Sequence, residues 1–254
     1  MNASTARKVA MITGANKGIG RAIAGQLAEQ GMTVLLGARD PRRGEEAAAA
    51  LRAAGGDAHA LRLDVTDPAT AQEAARWIEE RFGRLDVLVN NAGITGSGQV
   101  APQDAHDQVP SAAGLDMVRA VFETNVFGVI TVTNAVLPLL RRSPAARIVN
   151  VSSHAGSLTL AGAPDGPFAA LPPSAAYTPS KTALNALTVQ YANELRKDGI
   201  LVNAAAPGYV DTDSNNHTGH LTPAQGAAVV VRLATLGPDG PTAGFFSAEG
   251  PLPW

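Results

Sequence analysis

In VAMITGANKGIGRAIAGQLA, residues 9–28, an apolar pentapeptide runs directly into a glycine-rich turn and then into a helical pattern. VAMIT (9–13) has the length and composition of a buried strand, and the amphipathic stretch over 18–30 reads as a helix. Between them Gly14, Gly18 and Gly20 are spaced G-x3-G-x-G, which differs from the G-x-G-x-x-G of the usual dinucleotide fingerprint. The physics is the same. Glycine lets the chain turn sharply and lets backbone N–H groups and a helix N-terminus approach a pyrophosphate. A tight turn with no ligand is the competing reading, weakened by the position of the glycines between a strand and an amphipathic helix.

The same alternation continues along the chain. Apolar runs at 33–37, 60–65, 85–90, 147–152, 200–206 and 244–246 read as strands covered on both faces, because their apolar residues are nearly continuous. Helical patterns fill the intervals at 41–54, 68–82, 115–141, 177–197 and 222–235. Regular β-α-β order predicts an α/β fold, a Rossmann-type doubly wound parallel sheet of about seven strands with helices on both faces. Ligands of such sheets bind beyond the carboxyl ends of the strands.

A chain of 254 residues fits one domain, 1–254, and no Pro/Gly/Ser-rich linker divides it. With 45% apolar and 17% charged residues it reads as globular rather than disordered. A net charge of −2 gives no electrostatic reason to expect nucleic acid or an anionic membrane as partner. The absence of cysteine excludes disulfides, thiolate catalysis and cysteine metal sites. His217 and His220 lack a third ligand nearby, so they read as a loop and no metal site is expected. No signal peptide is read at the N-terminus, the apolar run at 127–140 is too short to span a bilayer, and a cytoplasmic location is the default expectation.

Further motifs follow the later strands. NNAG (90–93) follows the fourth, NVSS (150–153) ends the fifth, YTPSK (177–181) opens a helix, and PGYVDT (207–212) follows the sixth. With TGANKGIG (13–20) and Asn125 in the long helix, this ordered set resembles the short-chain dehydrogenase/reductase family over nearly the whole chain. The resemblance implies a nicotinamide cofactor held by Gly14, Asn16, Lys17, Gly18, Ile19 and Gly20. Asp64 and Val65 would lie at the adenine, with Asn91, Ala92 and Gly93 beside it and Pro207, Gly208, Val210 and Thr212 on a further loop. Asp64 as a simple turn residue is the alternative.

An acid at the end of the second strand usually selects NAD through the ribose 2′-OH. Here that position is Ala38, followed by Arg39, while Lys17 adds a cation in the glycine loop. Paired cations suit a 2′-phosphate, so NADP(H) is the expected cofactor. The alternative is that both are solvated surface residues, with Asp40 partnering Arg39.

Tyr177 and Lys181 are four residues apart, one turn of a helix. Free tyrosine titrates near 10, and a close ammonium favours the phenolate. Bringing the phenol within reach of neutrality needs roughly 3–4 kcal/mol. Lys181 is the cation placed to supply it together with the positive cofactor ring, so that Tyr177 gives its proton to the carbonyl oxygen as hydride arrives. The resemblance implies that Lys181 also holds the nicotinamide ribose and that Tyr177 too contacts the cofactor. Ser152 and Ser153 are both candidates to hydrogen-bond the substrate oxygen, and the family pattern selects Ser153. The same pattern makes Asn125 the residue that orders a relay water; satisfying backbone groups in a bent helix is its structural alternative.

Two long segments, about 95–114 and 154–176, depart from the family pattern and read as substrate-loop insertions. The longer gap before tyrosine and the ending GFFSAEGPLPW resemble the carbonyl-reductase branch. Monomer and homo-oligomer both stay open. Leu158, Leu160, Phe168 and Leu171 would give a mainly apolar pocket unless they pack internally. The resulting expectation is NADPH-dependent reduction of a small ketone or aldehyde. Oxidation of an alcohol, polyol or steroid is a second reading, and a non-catalytic NADP(H)-sensing protein is a third.

Overall fold

The computed structural model describes residues 7–96 and 108–254. Seven parallel strands form one sheet in the order β3-β2-β1-β4-β5-β6-β7. They are β1 (Val9–Thr13), β2 (Thr33–Ala38), β3 (Asp57–Arg62), β4 (Val87–Asn90), β5 (Arg147–Val151), β6 (Leu201–Ala205) and β7 (Phe245–Phe246). Strand order reverses between β1 and β4, so the crevice expected of a doubly wound sheet opens beyond their carboxyl ends.

Helices α1 (Gly18–Glu29), α2 (Pro41–Ala53) and α8 (Pro223–Ala234) cover one face, where Ile23, Leu27, Ala47, Val229 and Val230 pack on Ile12, Leu36 and Val89. On the other face α3 (Pro68–Phe82), α5 (Gly128–Leu140) and α7 (Tyr177–Leu195) contribute Ile78, Val136 and Ala192 against Met11, Leu35 and Ile148. Starts are written in the sequence. Asp40 accepts from the amides of Arg42 and Arg43 ahead of α2, Asp67 accepts from Ala69 ahead of α3, and Pro41 and Pro68 occupy first helical positions. Thr222 and Gln225 form a reciprocal capping box at α8.

Two segments depart from the sequence reading. The third strand is expected at 60–65 but runs Asp57–Arg62. It is an edge strand with only Ala58 and Leu61 buried, so its polar Asp57 and His59 belong to it and a continuous apolar run does not mark its start. The helix expected at 115–141 is α4 (Leu115–Phe122) and α5 joined by a π-helical segment, Glu123–Phe127. This helical run, Leu115–Leu140, is longer than the 127–140 read as too short to span a bilayer, and half of its most apolar window is buried inside the protein. Of the two expected insertions, residues 97–107 of the first lie outside the described residues; the second holds a 3-10 turn (His154–Gly156) and the one-turn helix α6 (Leu158–Ala161).

Candidate active site

A cleft of about 770 Å³ lies along the carboxyl ends of β1 to β4. Its walls carry the glycine loop, Arg39 after β2, Asp64 and Val65 after β3, Asn91 to Gly96 after β4, and Asp211 to Ser214 after β6. Gly14 has φ +65°, and a Cβ there would stand 3.1 Å from the Ala92 Cα. A Cβ on Gly20 would meet the Gly14 carbonyl and the Asn91 amide nitrogen, each at 2.5 Å. Glycine at these positions therefore keeps the loop compressed against the end of β4.

Thr13 fastens the two together. Its hydroxyl oxygen accepts from the amides of Asn91 and Ala92, both at 2.9 Å, and its carbonyl accepts from Asn91 Nδ2 at 2.9 Å. The Asn91 side chain thus braces the glycine loop from behind. Asn90 points into the sheet, donating to Asn150 at 2.9 Å and Thr133 at 3.1 Å, and Asn150 donates on to Thr188. Asn90 and Asn150 open the NNAG and NVSS motifs, but their pairing with each other and with Thr133 and Thr188 joins residues far apart in the chain and was not readable locally.

Arg39 is exposed on the cleft wall, and among the described residues no carboxylate pairs with it. Asp40 is taken by the α2 amides and by Arg43 at 3.6 Å. Lys17 reaches across to Asp213. Asp64 accepts from the Thr66 amide and hydroxyl, so the turn role and a place on the cleft wall coexist in it. Thr212 lines the cleft, whereas Pro207 and Val210 are buried against Gly226 of α8 and set the path of the loop with Gly208, φ +88°.

The catalytic candidates converge beside this cleft. Ser174, three residues ahead of Tyr177, accepts from the amides of Ala176 and Tyr177 and donates to Gln108. One turn into α7 the buried Lys181 donates from Nζ to the Val151 carbonyl at 2.8 Å, and Nζ lies 5.7 Å from the centre of the Tyr177 ring. Gly93 on the cleft floor adjoins it: a Cβ there would stand 3.5 Å from Lys181 Nζ and 3.3 Å from Asn125 Oδ1. Ser152 is buried and donates to Asn185 at 2.6 Å, while the Ser153 hydroxyl, which accepts from the Ala155 amide, neighbours the Tyr177 phenol. The two serines are thereby distinguished.

The π-helical segment turns Asn125 inward, fully buried. Its Oδ1 accepts from the Ile94 amide, and its Nδ2 donates to the Ile94 carbonyl and to Ser180 in the first turn of α7. Backbone satisfaction, the structural alternative, is therefore present, and one lone pair of Oδ1 stays available on the Gly93 side.

Burial governs the electrostatics of the Tyr177–Lys181 pair within the chain. Burial pushes the Tyr177 phenol up, and the neighbouring Ser153 hydroxyl offsets only part of this. Burial also lowers Lys181 to about 8. The ammonium is directed at the Val151 carbonyl, so desolvation outweighs its pull on the phenol. A phenol shifted this way stays protonated at neutral pH, the form a proton donor requires.

Over residues 8–221 the sequence matches the family model described as short chain dehydrogenase. The chain belongs to this family. Short-chain dehydrogenase/reductase 1 of Saponaria officinalis is 36% identical, with 98% of this chain and 96% of the relative covered. Salutaridine reductase from Papaver somniferum superposes with a TM-score of 0.80 at 33% identity, covering 95% of this chain and all of that one. A metagenomic short-chain oxidoreductase solved in complex with NADP gives a TM-score of 0.75 at 30% identity over 95% and 96% of the two chains. As a member of the short-chain dehydrogenase family the protein is an oxidoreductase of the carbonyl/alcohol class.

Proposed function

We propose that the protein reduces a ketone or aldehyde with NADPH, with Tyr177 as proton donor. The single observation that carries this reading is the convergence of Ser153, Tyr177, Lys181 and Asn125 beside Gly93, on the floor of a cleft whose far end holds Arg39. The fit to a phosphorylated dinucleotide rests on two features. Bare glycines at 14 and 20 let the loop close onto the end of β4 with the α1 N-terminus at the cleft, where a pyrophosphate would bind, and Ala38 replaces an acid while Arg39 presents a guanidinium that no carboxylate pairs with among the described residues.

Bound there, NADPH supplies the hydride. The chain's own residues handle the proton and the oxygen. Ser153 offers a hydroxyl to the carbonyl oxygen, stabilising charge as it develops. Tyr177 transfers its proton to the same oxygen, and the ammonium of Lys181 stabilises the phenolate that remains. Asn125 holds the Ile94 backbone and the start of α7 in register with one another, and its remaining lone pair can receive a water that returns a proton toward Lys181. Exposed Leu158 and Leu171 on the second insertion supply apolar surface near this end of the sheet rather than internal packing.

The test is turnover of a panel of ketones and aldehydes with NADPH and NADH, repeated for Arg39→Asp. Turnover preferring NADPH, with that preference lost in the variant, is expected. Tight NADPH binding without turnover of any carbonyl would support a sensor instead.

A further inference from the structure

The cation in the glycine loop has a partner 196 positions away. Lys17 Nζ lies 2.5 Å from Asp213 Oδ2, across the mouth of the cleft. Asp213 opens the 3-10 turn Asp213–Asn215 in the loop after β6, and that loop is internally tied. Asn215 accepts from the Thr212 amide and donates to the Val210 carbonyl, while His217 lies 2.5 Å from Asp211 and 3.1 Å from the second oxygen of Asp213. Lys17 holds the Asp213 carboxyl below the usual carboxylate range, so it is an anion at neutral pH. On its outer side the same pair borders a hollow shared with Arg21, Arg43 and Glu46. Asp213 is thus a carboxylate set among the cations that a phosphorylated adenosine would seek.

We propose that Asp213 competes with the 2′-phosphate of the cofactor for Lys17 and so limits the preference for NADP(H) over NAD(H). The inference rests on the cofactor reading above. An ammonium has three donors and can share them, but the carboxylate and a phosphate drawn to one ammonium repel each other. The pair is half exposed, with 57% and 39% of the two side chains accessible. Exchange of partners is therefore modest in energy, worth about two- to fivefold in affinity.

Calorimetric titration with adenosine 2′,5′-bisphosphate and with 5′-AMP tests this without turnover. Asp213→Asn and Asp213→Ala should each bind the bisphosphate about two- to fivefold more tightly than the unmodified protein, leave 5′-AMP binding unchanged, and lose the gain in a Lys17→Gln background. If the unmodified protein prefers the bisphosphate but both Asp213 variants bind it equally well or more weakly, the competition is refuted and Asp213 merely orients Lys17. If the unmodified protein binds both nucleotides alike, the cofactor reading itself falls, and the competition with it.

Discussion

Lys181 is the residue at which stability and chemistry conflict most openly. It is 4% exposed, its ammonium has one carbonyl partner, and burial brings it to about 8 from an ordinary value of 10.5. A lysine depressed in the folded state binds fewer protons than the unfolded chain between these two values. Its contribution is therefore destabilising at neutral pH, and the penalty shrinks as pH rises from about 8 toward 10.5. Lys181→Met should raise unfolding stability at pH 7 by about 1–3 kcal/mol, with the advantage fading between about pH 8 and 10.5, while turnover is lost. Denaturant unfolding of both proteins across pH checks the sign; a variant less stable at pH 7 would contradict it. The spacing of Tyr177 and Lys181 was plain in the sequence. The competition between desolvation and charge was not, because burial depends on how α7 packs against β5.

At the scale of elements, the glycine loop works because α1, β1 and the end of β4 approach one another within contact distance. Gly20 meets backbone at 2.5 Å from the position of a Cβ, and a backbone carbonyl cannot swing aside as a side chain can. Gly20→Ala should weaken NADPH binding at least tenfold and destabilise the fold by about 1–3 kcal/mol, read by titration and by melting. Unchanged binding would show that the loop has slack. This loop was legible because its glycines sit between two periodic segments. The π-helical segment that turns Asn125 inward was not legible, since ETNVF (123–127) continues a helical pattern without Pro or Gly to mark the change. Nor was Asp213 legible as the partner of Lys17: nothing local joins residues 196 positions apart.

For the molecule as a whole, the cleft is built from loops after strands β1, β2, β3, β4 and β6, so a ligand there bears on the folding of the entire sheet. At one hundred times its dissociation constant NADPH should add about 2.7 kcal/mol to stability. For a chain of this size that is roughly 5–10 °C in Tm, and NADH at the same concentration should give less. Equal shifts from the two cofactors would remove the role assigned to Arg39. The doubly wound architecture was readable from alternating apolar runs because five of the seven strands are buried along their whole length. Of the two edge strands, β7 has one of its two residues half-buried, and β3, with only Ala58 and Leu61 buried, escaped that rule.

The central claim is that Tyr177 delivers the proton while other residues hold the cofactor, and Tyr177→Phe separates the two. The variant keeps the ring and the helix and removes only the hydroxyl beside Ser153. NADPH binding by fluorescence titration and carbonyl turnover are to be measured on the same preparation. The dissociation constant is expected to stay within about twofold of that of the unmodified protein and turnover to fall by about a hundredfold or more. Turnover that survives the loss of the hydroxyl with cofactor binding intact would contradict it.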